Sequence, residues 1–543
     1  MIPRPVSRDM VIWTASSISG FLVILGSASA VLNLDHLAFF SNTSTLLFYM
    51  GVVLLSSVSI WGWYRGGISR RLSLLQISSL FIGLYVVPVL VIGPPNAEHA
   101  FDFLTFPIGI IRVGHWVNAY ATFLSWPGSW IFYSGFLMIT NVKGLRTIIE
   151  IFPVLWQAVF SLLIFTTCFK VSGSKNAAAI GVWIFLLADW LDQAYASDQS
   201  LGLALFLLGT LMLLREPVSN LRGRTKVLLM VVVAALAISH ILSALIMVSS
   251  IFILSIFKKQ LRFVAVIGVA TLAAWNLLAV ESSLQSFMRA ALSGLTNFAG
   301  WFQSGVSSPL SYSNPIHAEA TRLELVDVVS LGLIALASLM LQYRASKGPK
   351  LSKLWLVVAI EVGIVSVVLA TNTAGGNELF QRAFLFSLVP FSILASNSRN
   401  VRLFALALVM FSIFAAPMNL VAQYNTFATS EVTPSMYQGM VYLNSYSSGG
   451  TVIGALFPGL ASGGLFGPLG GQYALSAFSK NPCNMVALDP LYVSFTPSDY
   501  ATLSYDFGDN LTLPALSVFL SNSASSVLAL SANHVLLYAT SCA

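Results

Sequence analysis

Residues 148–190 read IIEIFPVLWQAVFSLLIFTTCFKVSGSKNAAAIGVWIFLLADW. From Ile148 to Phe169 the only charge is Glu150. At about 1.5 Å per helical residue that run is long enough to cross a hydrocarbon core roughly 30 Å thick. A short turn bearing Lys170 and Lys175 follows, and then a second apolar run extends to Trp190. Lipid offers no partners to peptide groups, so apolar runs of this length satisfy their own backbone as helices. The stretch is therefore read as a membrane hairpin with a basic turn.

The same pattern repeats outward in both directions. Apolar runs near 11–32, 45–63, 72–92, 148–169, 176–190, 200–214, 227–240, 241–257, 263–280, 325–343, 353–371, 383–397 and 402–420 predict a polytopic α-helical membrane protein of about 13 transmembrane helices. The first run is longer than a signal-peptide core and is read as a retained helix. Composition agrees: 9% of the 543 residues are charged, against roughly 25% in soluble domains. So few charges cannot cover a water-facing surface.

Basic residues fix the expected orientation. Arg4 and Arg8 precede the first run; Arg65, Arg70 and Arg71 follow the second, and Lys170 and Lys175 the fourth. Arg215, Arg222, Arg224 and Lys226 follow the sixth, and Lys258, Lys259 and Arg262 the eighth. Arg344, Lys347, Lys350 and Lys353 follow the tenth, and Arg399 and Arg402 the twelfth. Together these are 20 of the 27 Lys and Arg residues, all on every second connection. Cytoplasmic loops concentrate such residues, which predicts a cell-membrane protein with a cytoplasmic N-terminus and an external C-terminus. The net charge of +7 is thereby explained without a nucleic-acid partner.

Four divisions follow. Residues 1–92 hold the N-terminal transmembrane helices and 93–147 an external loop with interfacial helices. Residues 148–420 form the transmembrane bundle and 421–543 an external soluble domain. The run 128–142 is too short for a comfortable span, and counting it would invert every later loop, so it is read as interfacial or re-entrant. The tail is rich in Ser, Gly, Asn and Thr, with β-like runs at Gly450–Leu456 and His534–Tyr538, and predicts a small α/β or β-rich domain. Its Cys483 and Cys542 fit either a disulfide in an oxidising exterior or two free thiols. Asn42-Thr43-Ser44 and Asn510-Leu511-Thr512 match the glycosylation acceptor pattern.

The cytoplasmic loops are short and hold no phosphate-cradling glycine motif, which places any chemistry on the external side without ATP. In 93–147, Glu98 and Asp102 stand four apart, on one face if the stretch is helical. A carboxylate at a membrane boundary suits a general base for a hydroxyl, and His99 can assist or bind a metal. Ordinary solvated charges are the competing reading. Asp189, Asp192 and Asp198 lie within ten residues at a helix mouth. Asp198 is read as a cap for a helix beginning at Ser200, while Asp189 and Asp192 fit either a divalent cation, Mg or Mn, or solvated turns. His240 lies between two short runs, as a functional group or a hydrogen-bonded structural one. Arg382 departs from the basic pattern and suits bidentate contact with phosphate, or a salt bridge to Glu378. Asp35 and His36 form a weaker pair; Glu361 and Asp327 are read as polar contacts within the bundle.

The order of these elements resembles a known group. Tyr120 precedes Trp126-Pro127-Gly128; Asp198-Gln199-Ser200-Leu201-Gly202, Ser239-His240-Ile241-Leu242-Ser243 and Glu378 to Arg382 follow. The chain is similar in this to the GT-C superfamily of polytopic membrane glycosyltransferases, particularly its uncharacterised prokaryotic members. The resemblance implies transfer of a sugar, with inversion, from a polyprenyl-phosphate-linked donor to a glycan, lipid or protein acceptor on the external face. It implies Asp102, or Glu98, as base and Arg382 as the ligand of the donor phosphate. His99, Tyr120, Trp126, His240 and Glu378 would line the substrate site, and Asp189 and Asp192 would stand where some members bind metal or acceptor. Two extra N-terminal runs precede the loop that should follow the first span, and the tail lacks a Trp-Trp-Asp element, which argues against N-linked oligosaccharide transfer. A non-catalytic membrane scaffold that binds a partner, and a secondary transporter, are the alternatives; the transporter reading would predict an internal repeat, and none is evident.

Overall fold

The structure is a computed structural model that describes residues 8–32, 45–65, 68–93, 97–115, 126–141, 145–189, 195–215, 222–279, 315–345, 349–375, 377–397 and 402–424, and four strands in the tail. The helices are α1 (Arg8–Val31), α2 (Leu46–Arg65), α3 (Arg70–Phe81) and α4 (Val87–Val91), with a π-helical turn at Ile82–Val86 between the last two. Then come α5 (Ala97–Val113), α6 (Gly128–Thr140), α7 (Leu145–Ser172), α8 (Lys175–Ala188), α9 (Asp198–Arg215), α10 (Gly223–Ser239), α11 (Ile241–Phe257) and α12 (Arg262–Ala279). The series closes with α13 (Pro315–Ala345), α14 (Pro349–Gly375), α15 (Asn377–Ser396) and α16 (Arg402–Tyr424). Every expected apolar run falls on one of these helices. Among the described residues, eight helical segments are long and apolar enough to cross a membrane, and three more are apolar but shorter, at Lys175–Ala188, Ile241–Phe257 and Phe384–Ser396. With the charge-poor composition, these make the chain a multi-pass membrane protein.

The chain divides into two units: Met1–Pro94, Ala121–Ser129 and Glu150–Asn425 in the first, and Pro95–Tyr120, Trp130–Ile149 and Thr426–Ala543 in the second. The first unit is packed inside out relative to a soluble protein. Gln76, Gln157, Asn419 and Gln423 are buried, whereas Leu162, Phe257, Val266 and Leu403 are exposed. In water that exchange would be strongly unfavourable, and in lipid it is what transfer free energies demand. The basic connections share one end of this unit. Asn176 Nδ2, just after Lys175, donates to Trp63 O at 3.1 Å, and Lys353 Nζ donates to Lys170 O at 2.7 Å. There Arg65 stacks its guanidinium 4.3 Å over the Trp61 ring, an aromatic–cation pair of the kind that seats at a membrane interface.

The π-turn shapes the third segment. Pro88 has no N–H for the carbonyl one turn back, and the widened turn leaves Gly83 O accepting from Ser27 Oγ. Just beyond, Tyr85 is turned into the bundle, where its hydroxyl donates to Leu186 O at 2.7 Å.

In the second unit α6 is 13 residues long, about 20 Å at helical rise, too short to span the core upright. Trp130, Tyr133, Ser134 and Leu137 on one stripe are buried, with Trp130 stacked on Phe103 of α5 at 5.4 Å and Ser134 Oγ donating to Pro107 O at 3.1 Å. The tail strands β1 (Thr451–Gly454), β2 (Leu491–Phe495), β3 (Ser523–Ser531) and β4 (His534–Cys542) form a sheet of order β1-β2-β4-β3. β1 pairs with β2 in parallel; β4 is antiparallel to β2 and β3. β1 and β4 overlap the two runs singled out as β-like.

Candidate functional site

Two polar clusters lie in the first unit at the helix ends remote from the basic connections. The first surrounds Asp189, the residue at which α8 stops. Its side chain is 1% exposed, and Gln157 Nε2 on α7 donates to its Oδ2 at 2.5 Å. Its backbone carbonyl, left without a helical partner, accepts from Asn419 Nδ2 at 2.9 Å, Gln423 Nε2 at 2.8 Å and Tyr85 Oη at 3.1 Å. Asn419 also reaches Leu186 O and Leu187 O, and Gln423 Nε2 donates to Asn419 Oδ1 at 3.1 Å. The end of α8 is thus held by α7, by α16 and by the π-turned segment.

The second cluster is built on His240, the single non-helical residue between α10 and α11. Its backbone is extended (φ −156°, ψ 111°), and it closes one helix and opens the next. Nδ1 accepts from the amide of Ser243 at 3.3 Å and lies 2.6 Å from Ser243 Oγ. An amide N–H can only donate, so Nδ1 carries no proton and the neutral imidazole bears its proton on Nε2. Two glycines let neighbouring segments approach this hinge. A Cβ on Gly202 would lie 3.0 Å from His240 Nδ1 and 2.5 Å from Ser243 Oγ. One on Gly128 would lie 2.9 Å from Ile238 O and closer still to Ser239 Oγ. Ser129 Oγ donates to Ser239 O at 3.2 Å, fixing the Trp126–Ser129 segment to the end of α10.

Helical spacing puts Arg382 and Gln199 on the facing sides of their helices, toward the same end of the bundle. Phe206 of α9 and Phe386 of α15 meet edge to face at 5.2 Å. Arg382 is one turn before Phe386, and Gly202 and Gln199 are one and two turns before Phe206, each on the contacting face. The Arg382 guanidinium lies within electrostatic reach of the His240 ring. Among the described residues, neither amide atom of buried Gln199, nor Trp126 Nε1, has a hydrogen-bond partner. Buried polar groups are almost always paired. A neutral imidazole, a guanidinium, an amide and an indole N–H therefore line one end of the bundle, able to hold an anionic, hydroxyl-bearing ligand.

The predicted residues divide accordingly. Arg382 lies within electrostatic reach of His240, and Trp126 stands on the segment tied to the end of α10. Asp189 is described, but it is locked into the first cluster. Glu98, His99 and Asp102 lie on α5, with Glu98 and Asp102 four apart on one helical face, and Glu378 lies in the first turn of α15; their side chains are outside the described residues. Tyr120, Asp192, Asp35, His36, Cys483 and both glycosylation triplets lie outside them altogether. Glu361 Oε1 accepts from Ser387 Oγ at 2.9 Å within the bundle. The capping assignment is corrected: α9 begins at Asp198, and Ser197 Oγ accepts from Ser200 N at 3.1 Å, while Asp198 Oδ1 takes Gln199 N at 2.9 Å. Ser sits one residue before the helix and reaches its third amide, the usual capping geometry.

The divalent-cation reading pairs Asp189 with Asp192, and Asp192 lies outside the described residues. Among the described residues, most donors at Asp189 go to its backbone carbonyl, its Oδ1 has no hydrogen-bond partner, and no group of three His, Cys, Asp or Glu is placed to hold a metal. In the sequence Gln157, Asn419 and Gln423 leave only a faint signal, an amide within one apolar run and an Asn–Gln pair four apart in another, and Tyr85 leaves none.

No family profile matches the chain, and no curated protein matches it. Solved structures similar to it include the Archaeoglobus fulgidus oligosaccharyltransferase in complex with Zn and sulfate, 13% identical over 81% of this chain and 70% of that one, with a TM-score of 0.48. The same enzyme tethered to an acceptor peptide is 12% identical over 88% and 72%, at 0.47. ArnT from Cupriavidus metallidurans bound to undecaprenyl phosphate is 11% identical over 90% and 97%, at 0.37. These are the structures to which the chain is similar, and at such identities and TM-scores the likeness says nothing of its activity.

Proposed function

We propose that the protein is a membrane glycosyltransferase that moves a sugar from a polyprenyl-phosphate-linked donor to a hydroxyl acceptor on the external membrane face. The observation that carries this reading is the gathering of Arg382, neutral His240, Gln199 and Trp126 at the bundle end remote from the basic connections. In the proposed orientation that end is external, with thirteen spans, a cytoplasmic N-terminus and the tail from 421 outside. A lipid-borne phosphate arrives at the membrane surface, where Arg382 offsets its charge and His240 Nε2–H donates a hydrogen bond. Asp102, or Glu98, takes the proton of the acceptor hydroxyl. The acceptor oxygen bonds to the anomeric carbon from the face opposite the phosphate, that C–O bond breaks, and polyprenyl phosphate leaves with the electron pair, inverting the centre. No step is routed through a metal.

The test uses the full-length protein in nanodiscs with undecaprenyl-phosphate-linked sugars and an acceptor extract. Asp102→Asn is expected to cut transfer at least about 100-fold while undecaprenyl phosphate still binds, and Glu98→Gln to act less strongly. Wild type that binds no polyprenyl phosphate, or full turnover in the double variant, would overturn the reading.

A further inference from the structure

Gln199 is the most conspicuous polar group left over by this description. It is 2% exposed, and neither its Nε2 nor its Oε1 has a hydrogen-bond partner among the described residues. It is not needed to cap its own helix. Ser197 Oγ already takes the amide of Ser200, and Asp198 Oδ1 takes that of Gln199 itself. Nor does it face lipid: three residues on, Gly202 lies against His240 and Ser243, and i, i+3 neighbours share a helical face. Gln199 thus stands on the helical face that meets the His240 hinge, one turn nearer the helix end than Gly202.

The chemistry of the amide narrows its ligand. A phosphate presents only acceptors at neutral pH, so it would engage Nε2 and leave Oε1 buried and unpaired, which is costly. Arg382 is the better phosphate ligand in any case. Two adjacent sugar hydroxyls present one donor and one acceptor side by side, and a primary amide matches both at once. Trp126 Nε1–H, also without a partner among the described residues, supplies a second contact, on a segment anchored to the same hinge by Ser129. We infer that Gln199 reads the transferred sugar: its amide grips two neighbouring hydroxyls of a pyranose while Arg382 holds the phosphate. This rests on the transferase reading and adds to it the residue that sets sugar selectivity.

The experiment measures binding of the full-length protein, in nanodiscs, to bare undecaprenyl phosphate and to the same lipid bearing glucose, galactose, mannose or N-acetylglucosamine. Wild type should bind at least one sugar-bearing probe about 10-fold or more tighter than the bare lipid, a typical effect of matching buried hydrogen-bonding groups. Gln199→Leu should abolish that increment and leave bare-lipid affinity unchanged, and bare-lipid binding reports that the variant is folded. Gln199→Asn, with the amide drawn back, should lose most of the increment, and it replaces Leu if the latter fails to fold. The inference is overturned if both affinities fall together, if the increment survives substitution, or if no sugar is preferred by wild type. Failure of wild type to bind even the bare lipid is a different result, which removes the transferase reading itself.

Discussion

The Asp189 cluster and the His240 cluster are built from similar materials at the same end of the bundle, and they differ in how many segments their hydrogen bonds tie together. Around Asp189, amides and a phenol from three other segments converge on one helix end, and the carbonyl of Asp189 alone receives three of them. Around His240, the ring is held through one nitrogen, glycines let neighbouring segments close on it, and Gln199 and Trp126 keep polar atoms that nothing among the described residues answers. The donors that converge on the Asp189 carbonyl fix helices to one another, although Asp189 Oδ1 and Gln157 Oε1 have no hydrogen-bond partner among the described residues; near His240 the unanswered atoms are an amide and an indole N–H, groups a neutral, hydroxyl-bearing ligand can meet. By sequence, the acids near Asp189 and the histidine look equally functional. The number of segments bonded together is what separates them.

The contrast can be broken at several points. The largest effect is expected at Arg382→Ala, which should lower sugar transfer about 100- to 1000-fold, the range for losing one group that stabilises developing charge, with the melting temperature in detergent nearly unchanged. A large loss of thermal stability instead would make Arg382 part of a lock like that of Asp189. Asn419→Leu should do the reverse, removing the bonds to Asp189, Leu186 and Leu187 and costing about 2–3 kcal/mol in denaturant titration. If it spares stability and abolishes transfer, the Asp189 cluster is a second ligand site. Gly202→Ala, which sets a methyl against the His240 ring, should cost about 1–2 kcal/mol and weaken transfer several-fold. The smallest effect belongs to Ser243→Ala: the backbone amide still fixes the ring tautomer, so stability should fall by about 1 kcal/mol or less and transfer by less than about 10-fold. A collapse of activity there would mean the hydroxyl itself touches substrate.

The helices were legible because lipid enforces them: a run such as 402–420 has no other way to satisfy its peptide groups, and α16 lies there. The hinge at His240 was legible too, as a polar pair between two short runs. The close approaches at Gly128 and Gly202 were not, since a glycine in an apolar helix gives no sign of which neighbour it admits. The lock was hidden for a related reason. Gln157, Asp189 and Asn419 come from separate helices, and Tyr85 and Asn419 stand 334 residues apart while bonding one another. Local patterning names a buried amide as unusual and is silent about its partner. Side-chain positions for Glu98 and Asp102 lie outside the described residues, so their pairing on α5 is legible from the backbone alone.

The π-turn at Ile82–Val86 has a consequence for register. A π-turn accommodates one residue more than the α-turn it replaces, so the helix before it and the helix after it are rotated against each other by about 100°, the angle of a single residue. Gln76 on the first part bonds Ser16 Oγ of α1 at 2.9 Å, and Tyr85, in the second half of the turn itself, bonds the end of α8. A helix of uniform pitch would aim one of them correctly and swing the other toward lipid. The extra residue lets a single membrane-crossing segment answer to two neighbours at once, and deleting it would turn Tyr85 away from Asp189 without altering any side chain.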